Sequence, residues 1–517
     1  MSRVARGSTI NLAGAVVAAM ANFGLTVLVT RLTSQSTAGI FFSVTSLFLL
    51  ATSLGQLGTN TGLVYFLSGA RARGELHRYA SYMRVALRPV LVVGVVMAVA
   101  MFVFAGPLAR VLASGHEAEF TSYLRAVAIF IPCAGLLNLA VSGTRGLGTM
   151  RINALLDQMS RPVLQVGLVL LAIVFGGRSA VLAVGWAVPY VILAGVGWRI
   201  WTTMRVRAGG ATVDHEFRPT KDFWRFSVPR ALASVAQVAM QRLDVVLVGA
   251  LAGIPEAALY AAATRFLALG QMAGGAVSQS VQPHLGETLA RKDVGAASEL
   301  YQVSTAWLVC LTWPIYLLLI VFAPTVLDIF GSQYDAGSMV VIILCSSMLL
   351  GTACGMVDMV LTMAGRTSWN LVNVLIAFAI NLSLDLLLIP SHGITGAAIG
   401  WAVAIVAANV IPLLQVGVFL RLHPFGPGTI TALVLASVCF GAVPVVGRAL
   451  IGPGWWSLFL SAAVGFVAYL VGLRWCRKVL RLHELLALRG RGRPRPAAAS
   501  RRRPGEERRS HEADGHR

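Results

Sequence analysis

The sequence contains few charged residues for its length. Of its 517 residues, 12% are charged and 57% are hydrophobic, and the mean hydropathy is +0.75. An ordinary soluble chain is about 25% charged and about 45–50% apolar. A soluble fold would have to bury most of this chain, so the composition excludes an ordinary soluble protein.

The sequence also lacks the short motifs of common catalytic and nucleotide-binding sites. It contains no HExxH, no GxSxG and no Walker loop, and no polar stretch long enough to form a soluble catalytic domain. We therefore expect a protein that is not an enzyme, has no cofactor and does not hydrolyse ATP.

The cysteines are few and are not arranged for a disulfide or metal framework. None occurs in a CxxC pair, and all lie within or at the edge of apolar runs. We expect them to be buried as small hydrophobic residues, without a metal site. The six are Cys133, Cys310, Cys345, Cys354, Cys439 and Cys476.

What the sequence does contain is a series of apolar runs of about 20 residues, the length that crosses about 30 Å of hydrocarbon as a helix. Charged and Gly/Pro/Asn clusters divide the chain into about fourteen such spans. The first, residues 11–30, is longer than the apolar part of a signal peptide, so we interpret it as a retained helix. The predicted fold is an all-α polytopic membrane protein.

The distribution of basic residues predicts the orientation. With the amino terminus in the cytoplasm, the inside segments hold 21 Lys or Arg before the tail, including Arg161, and the outside segments hold 4. Positive charge concentrates on the cytoplasmic side of membrane proteins. We therefore expect a cytoplasmic membrane protein with both termini in the cytoplasm.

An internal repeat organises the spans. The Val-Leu-Val triplet at residues 27–29 recurs at 246–248, and Gly-Trp-Ala-Val at 185–188 recurs at 400–403. The offsets of 219 and 215 carry span 1 onto span 7 and span 6 onto span 12, which predicts two parallel six-helix lobes around a central cavity. The predicted segments are a first lobe at 1–205, a cytoplasmic loop at 206–222, a second lobe at 223–421, a transmembrane hairpin at 422–476 and a disordered basic tail at 477–517.

The net charge of +21 is partly explained by the tail. From Arg474 onward the chain has 14 basic and 5 acidic residues, a net charge of +9. We expect a disordered cytoplasmic tail, with docking on anionic membrane lipids as the alternative, and no nucleic-acid partner.

Polar side chains recur at helical spacing within several spans. Ionisable groups in hydrocarbon normally face protein, water or a partner, so these stripes predict the lining of the cavity. Arginine also binds phosphate oxygens as a fork, which favours an anionic cargo. The predicted substrate-binding residues are Arg125, Arg242, Arg265, Gln237, Gln241, Gln271, Asn373 and Asn381.

Three acids in predicted spans are candidates for proton or sodium coupling: Asp244, Asp358 and Asp385. Other interpretations stay open. The amides could instead hydrogen-bond between packed helices, and the arginines could pair with Asp244 or Asp385. Asp157 and Arg161, four residues apart on one helix, are expected to pair with each other.

Two stretches resemble a known family. Residues 363–404 contain Ala-Gly-Arg, then Asn381, then Leu-Leu-Ile-Pro and Gly-Ile-Thr-Gly-Ala-Ala, and residues 226–263 contain Pro229, Asp244 and Tyr260 at characteristic places. This pattern resembles the polysaccharide-transporter flippases of the multidrug/oligosaccharidyl-lipid/polysaccharide (MOP) superfamily.

The resemblance implies export of a polyprenyl-pyrophosphate-linked oligosaccharide by alternating access, for cell-envelope or exopolysaccharide assembly, in contact with glycosyltransferase or polymerase machinery. A lipid II flippase is an alternative, although span 1 before Arg31 lacks the arginines of that branch. An ion-coupled multidrug antiporter is another, although Asp157 is the sole acid in a predicted first-lobe span. The third alternative is a membrane scaffold that does not transport a substrate and recruits partner proteins through its basic tail.

Truncation after Val479 separates the scaffold from the transporters. A scaffold that recruits partners through its basic tail would lose function, whereas a transporter that works through its cavity should retain most of its polymer export. Export by cells that carry the truncated chain measures the difference.

Overall fold

Apolar runs with few polar interruptions form long helices, because every backbone group can then bond within its own segment in hydrocarbon. The computed structural model describes residues 2–176, 179–209, 220–291, 293–477, 479 and 480. These parts are helical and contain no strand. Residues 210–219 of the predicted loop and 481–517 of the predicted tail lie outside the described residues.

The described residues of the first half form nine α-helices, and a short π-helical segment at Asn153–Ser160 leads into the eighth. The helices are α1 (Ser2–Leu32), α2 (Gln35–Gly55), α3 (Thr59–Ala72), α4 (Tyr79–Val103), α5 (Ala105–Leu112), α6 (Glu117–Ala128), α7 (Ile131–Gly146), α8 (Arg161–Val174) and α9 (Ser179–Arg207).

The second half continues with α10 (Thr220–Leu251), α11 (Ile254–Thr264), α12 (Leu267–Ala290), α13 (Val294–Val321), α14 (Ala323–Leu327), α15 (Ser338–Ala353), α16 (Val357–Met363) and α17 (Thr367–Gln415). The terminal hairpin comprises α18 (Pro427–Ala436), α19 (Val443–Ile451) and α20 (Trp455–Trp475). Further π-helical turns lie at Val416–Leu420 and Ser437–Ala442, and 3₁₀ turns at Leu76–Arg78, Asp328–Phe330 and Ser332–Gly337.

The number of spans depends on how broken helices are counted. Within the described residues, eleven helical stretches are long and apolar enough to cross a membrane, or twelve if the bent pair α6 and α7 forms one span. The structure confirms a polytopic all-α fold. The count of fourteen stays a prediction, because it requires α17 to cross twice and α11 with α12 to form another span.

α17 and the turn that follows it show why the count is ambiguous. Together they form a single stretch of 54 residues, which as a straight helix would be about 80 Å long. At Gly393 the backbone leaves the helix, with φ +56° and ψ −135°. Asn373 and Gln415, 42 residues apart, then bond each other at 2.8 and 3.0 Å. The two arms therefore run antiparallel.

The repeated Gly-Trp pair occupies similar positions in the two halves. Trp186 on α9 and Trp401 on α17 are both buried. A β-carbon at Gly185 would lie 3.0 Å from the carbonyl oxygen of Leu168, and one at Gly400 would lie 2.5 Å from Asp385 Oδ1. In each half the glycine thus allows a close approach to the preceding span, as small residues do in membrane helix pairs.

A cluster of aromatic rings joins α2 to α9. Phe48 packs against Trp186 and Tyr190 with ring centroids 5.3 and 5.2 Å apart, and Phe41 contacts Trp186 at 6.5 Å. Such aromatic pairs add about 0.5–1.5 kcal/mol each beyond the area that they bury. The cluster fixes α2 as the wall that faces the second half.

The two halves are tightly joined at the end of the molecule that contains Arg31. The Arg31 guanidinium donates to the backbone carbonyls of Asp328 and Ile329, the latter at 2.8 Å. Phe23 of the first half packs with Phe266 and Phe330 of the second in a triangle of rings 5.5–5.7 Å apart. We call this set of contacts the Arg31 seal.

Toward the other end, α3 and α10 also join the halves. Tyr65 stacks on Phe226 with centroids 4.3 Å apart, and the Arg230 guanidinium lies 3.9 Å from the centre of the Phe226 ring. A β-carbon at Gly58, where φ is +71°, would lie 2.2 Å from the carbonyl oxygen of Ser227. The halves are therefore also in contact between α3 and α10, away from the Arg31 seal.

The terminal hairpin packs against α13 of the second half. The Tyr469 hydroxyl donates to the carbonyl of Cys310 at 3.0 Å, and Arg448 donates to the carbonyl of Val321. Large apolar side chains on its other surfaces are exposed, including Trp456 at 85%. An apolar exposed surface on a membrane protein is expected to face lipid.

Gly39 determines how closely the halves approach beside the Arg31 seal. A β-carbon there would lie 1.9 Å from the carbonyl oxygen of Ile254, so Gly39→Ala must push α2 away from α11. We expect a loss of about 1–3 kcal/mol, measured as a lower apparent unfolding temperature of the purified protein.

The control is Gly167→Ala on α8, where a β-carbon would meet no atom within 4 Å. An equal loss of stability in both variants would show that helix backbone effects, and not the contact between the halves, explain the result.

Candidate functional site

A cavity of about 280 Å³ lies between the two halves. The first half contributes α1, α2, α8 and α9, and the second half contributes α10, α12 and Arg265, the residue that follows α11. The Arg31 seal and the close contact of α2 with α11 lie to one side of it. The cavity is therefore positioned where a change in the angle between the halves would alter access to it.

Three arginines give the cavity its charge. Arg161, Arg242 and Arg265 line it, and none of its described lining residues is acidic. Cations inside membrane proteins commonly pair with an acid, whereas the lining of this cavity has a net positive charge.

Arg242 and Arg265 have no ion-pair partner among the described residues. Arg265 lies against the ring of Phe42, 5.6 Å from its centre, and its Nε is buried without a hydrogen-bond partner. The predicted alternative, in which these arginines pair with Asp244 or Asp385, does not occur in the structure. Two guanidinium groups therefore remain available to an anion.

Arg161 differs from the other two because it has a carboxylate partner. Its Nε donates to Asp157 Oδ1 at 2.8 Å, and its Nη1 donates to the Tyr190 hydroxyl at 3.3 Å. The expected pairing of Asp157 with Arg161 is confirmed. The Asp157 carboxylate sits on the π-helical segment at Asn153–Ser160, a distortion that is frequent at functional sites.

Aromatic and uncharged polar groups complete the wall. Phe41, Phe42 and Trp186 present rings, whereas Thr26 and Thr45 present hydroxyls. Gln165 also lines the cavity, with its amide donating to the carbonyl of Trp186 at 3.0 Å. Such a surface can contact both the faces and the hydroxyl groups of a sugar.

A second polar site lies inside the second half, separate from the cavity lining. The Tyr260 hydroxyl donates to Asp244 Oδ2 at 2.8 Å, and the Asn381 amide donates to Asp385 Oδ2 at 3.0 Å. The carboxyl groups of Asp244 and Asp385 interact directly, and the Oδ1 atom of each is buried without a recorded donor. Two adjacent buried carboxylates repel each other unless a proton or a cation lies between them.

The structure separates the predicted polar residues into distinct groups. Arg242 and Arg265 line the cavity, whereas Asn381 belongs to the carboxylate site and is buried. Asn373 does not line this cavity, and both ends of its amide bond Gln415 across the arms of α17; its predicted role in substrate binding stays a prediction.

Arg125 does not line this cavity either, and its predicted role in substrate binding stays a prediction. It lies exposed on α6, where its Nε donates to the carbonyl of Phe102 at 3.4 Å and its guanidinium lies 5.4 Å from the centre of the Phe102 ring. The side chain extends along the end of α4 and does not reach the cavity. The position of Arg125 within an apolar run of the sequence could not show on which face of the helix bundle its side chain lies.

The remaining candidates are exposed side chains outside both sites. Gln237 and Gln241 on α10 and Gln271 on α12 are exposed and do not line the cavity. Asp358 is exposed on α16 and is not part of the Asp244–Asp385 pair. Their predicted roles stay predictions.

Arg161 is the cavity residue that the sequence interpretation missed. Counted with the cytoplasmic charges and expected to pair with Asp157, it was not selected as a cavity residue. Asn153, Asp157, Arg161 and Gln165, at successive fours, formed one of the polar stripes that predicted the cavity lining, but the expected pairing with Asp157 set Arg161 aside. Arg161 and Gln165 do line the cavity.

Comparison with known proteins agrees with this architecture. The sequence profile of the polysaccharide biosynthesis protein family matches residues 4–289, more than half of the chain. The chain belongs to this family. A second profile, MatE, matches residues 229–387 of this family member.

A curated relative is the "Probable low-salt glycan biosynthesis flippase Agl15" of Haloferax volcanii, which is 23% identical over 259 residues. The match covers 49% of this chain and 54% of the relative. The chain thus spans about half the length of the curated relative that it matches.

Two solved structures are similar in fold. "Lipid II flippase MurJ, inward closed conformation" has a TM-score of 0.71 at 12% identity, covering 92% of this chain and 99% of that one. "Inward-facing conformation of a multidrug resistance MATE family transporter of the MOP superfamily" has a TM-score of 0.64 at 17% identity, covering 78% and 95%. The resemblance to the MOP superfamily is confirmed, and the chain is a multi-pass membrane protein.

Proposed function

We propose that this protein is a flippase that moves a polyprenyl-pyrophosphate-linked oligosaccharide across the cytoplasmic membrane by alternating access. The observation that carries the proposal is that Arg242 and Arg265, in a cavity between the two halves, have no ion-pair partner in the part of the chain that the structure describes. An uncompensated cation in such a place is costly unless an anion occupies it during the working cycle.

The chemistry of the cavity suits a pyrophosphate. Guanidinium groups bind phosphate oxygens in a fork geometry and stay protonated at any physiological pH. The rings of Phe42 and Trp186 and the hydroxyls of Thr26 and Thr45 offer surface for the first sugars. A volume of about 280 Å³ admits a headgroup, so the lipid chain would remain in the bilayer.

Alternating access would use the contacts between the halves. In the structure the Arg31 seal and the α2–α11 contact join the halves at one end, and the α3–α10 contact joins them toward the other, so each set of contacts would open in turn. Rocking of one half against the other would break the seal, which consists of two bonds from one arginine and a triangle of three rings. Rocking of repeats around a central site is the usual mechanism of such folds.

The buried carboxylates supply a candidate coupling site. Asp244 and Asp385 could share a proton or bind a monovalent cation, with Tyr260 and Asn381 as further oxygen-bearing neighbours. Because α10 carries both Asp244 and Arg242, a change at the carboxylates would be transmitted to the cavity through one helix.

The drug-efflux alternative is supported by the MatE match, which includes both Asp244 and Asp385. The cavity opposes it, because cationic drugs would meet three arginines and no acid among the described lining residues. The lipid II alternative differs only in the cargo attached to the same kind of pyrophosphate, and the similarity to the lipid II flippase is one of fold.

The distribution of basic residues in the sequence suggests how the chain is oriented in the membrane. Both termini would lie in the cytoplasm, and the basic tail would contact anionic lipids there. Glycosyltransferase and polymerase enzymes that make and use the lipid-linked glycan would be its partners.

Replacing Arg242 or Arg265 by Gln should reduce transport. Loss of a hydrogen bond to a charged group costs about 1.5–3 kcal/mol, which corresponds to about ten- to a hundredfold weaker binding of the anion. The measurement is the flipping rate of a fluorescent polyprenyl-pyrophosphate oligosaccharide in vesicles that contain the purified protein.

Arg125→Gln is the matched control, since Arg125 lies outside the cavity and should be dispensable. Undiminished flipping by correctly inserted Arg242→Gln and Arg265→Gln proteins would refute the cavity proposal.

Replacing Asp244 or Asp385 by Asn should abolish the response of transport to an imposed proton or sodium gradient. A neutral amide can neither give up the shared proton nor balance a cation. The flipping rate with and without each gradient measures this response, and Asp358→Asn should retain it because Asp358 lies apart from the pair. A gradient response that survives in both Asp244→Asn and Asp385→Asn would contradict the coupling site.

A further inference from the structure

The three arginines of the cavity are not equivalent. Arg161 has a carboxylate partner, whereas Arg242 and Arg265 have none among the described residues. The Asp157–Arg161 pair is partly solvent-exposed, with 31% of the Asp157 side chain and 21% of the Arg161 side chain accessible. A solvent-accessible ion pair contributes little to stability, so stabilisation of the fold does not explain why Asp157 lies beside Arg161.

The geometry of the pair leaves Arg161 able to bind a ligand. Asp157 accepts from Nε and the Tyr190 hydroxyl accepts from Nη1, and no described residue accepts from Nη2. An arginine has five N–H donors, so several remain free on the guanidinium. Asp157 therefore does not occupy the place of an anion. It reduces the attraction that Arg161 exerts.

The carboxylate of Asp157 lowers the net positive charge of the cavity. Three arginines without Asp157 would give the cavity three positive charges, and Asp157 reduces the net charge to two. A pyrophosphate that joins a lipid to a sugar has one negative charge on each phosphate, so the reduced charge matches it. A transporter must also release its cargo, and binding that is too strong prevents release.

We propose that Asp157 is a counter-charge that limits the affinity of the cavity for its anionic cargo. The inference rests on the proposed function, because it requires that the cavity bind an anion. In the alternative, Asp157 merely orients Arg161 for binding. The two roles predict opposite effects of its neutralisation.

The test is binding of inorganic pyrophosphate to the purified full chain, by titration calorimetry. Asp157→Asn should bind about tenfold more tightly than the natural protein, because it removes a negative charge that repels the anion in a partly solvated site. This gain should shrink at high ionic strength, which screens charges. Asp157→Glu should restore the natural affinity, and Arg161→Gln should weaken binding.

Glu287→Gln is the matched control. Glu287 bonds Arg291 at 2.6 Å with the same spacing of four residues, but this pair is exposed on α12 away from the cavity. It should leave binding unchanged. Asp157→Ser provides a second uncharged variant should Asp157→Asn fail to fold, as judged by its apparent unfolding temperature.

The outcomes separate the two proposals. Equal or weaker binding by a folded, uncharged Asp157 variant, with binding still dependent on Arg242 and Arg265, would overturn the inference and leave the proposed function standing. Pyrophosphate binding that is absent, or that persists after Arg242→Gln and Arg265→Gln are combined, would overturn the proposed function and this inference with it.

Discussion

An arginine inside a membrane protein must be compensated, because its charge cannot be removed by loss of a proton. In this protein Arg161 is compensated by Asp157, whereas Arg242 and Arg265 face a cavity between two halves with no described acidic partner. The surrounding architecture serves this arrangement. α2 and α9 form a rigid aromatic wall on one side, and α10 carries Arg242 on the other.

The carboxylates of the second half form a counterpart to this cationic cavity. Asp244 faces Tyr260 and Asp385, while Arg242, two residues earlier on the same helix, faces the cavity. Residues two apart on a helix point in nearly opposite directions, at about 100° per residue. α10 therefore holds the positive charge of Arg242 apart from the negative charge of Asp244, which would otherwise neutralise each other. Each of the two sites requires its own counter-ion.

Residue patterns predicted much of this arrangement. Charge content and run length indicated a polytopic helical protein, and helical spacing indicated that Asp157 pairs with Arg161. The helical spacing of Gln237 and Gln241 was interpreted as cavity-facing, but among the described residues of α10 only Arg242 lines the cavity. Periodicity identifies which residues share a face of a helix, and it does not identify what that face contacts.

The sequence by itself determined that this chain crosses a membrane many times, because hydrocarbon accepts only long apolar segments whose backbone bonds are satisfied internally. Tertiary structure alone decided which polar groups meet. It placed Arg125 on the outside of α6, joined Asn373 to Gln415 through the turn at Gly393, and brought Asp385 to Asp244 from 141 residues away. Those contacts depend on how the helices pack, and the packing follows from side-chain shape over the entire bundle.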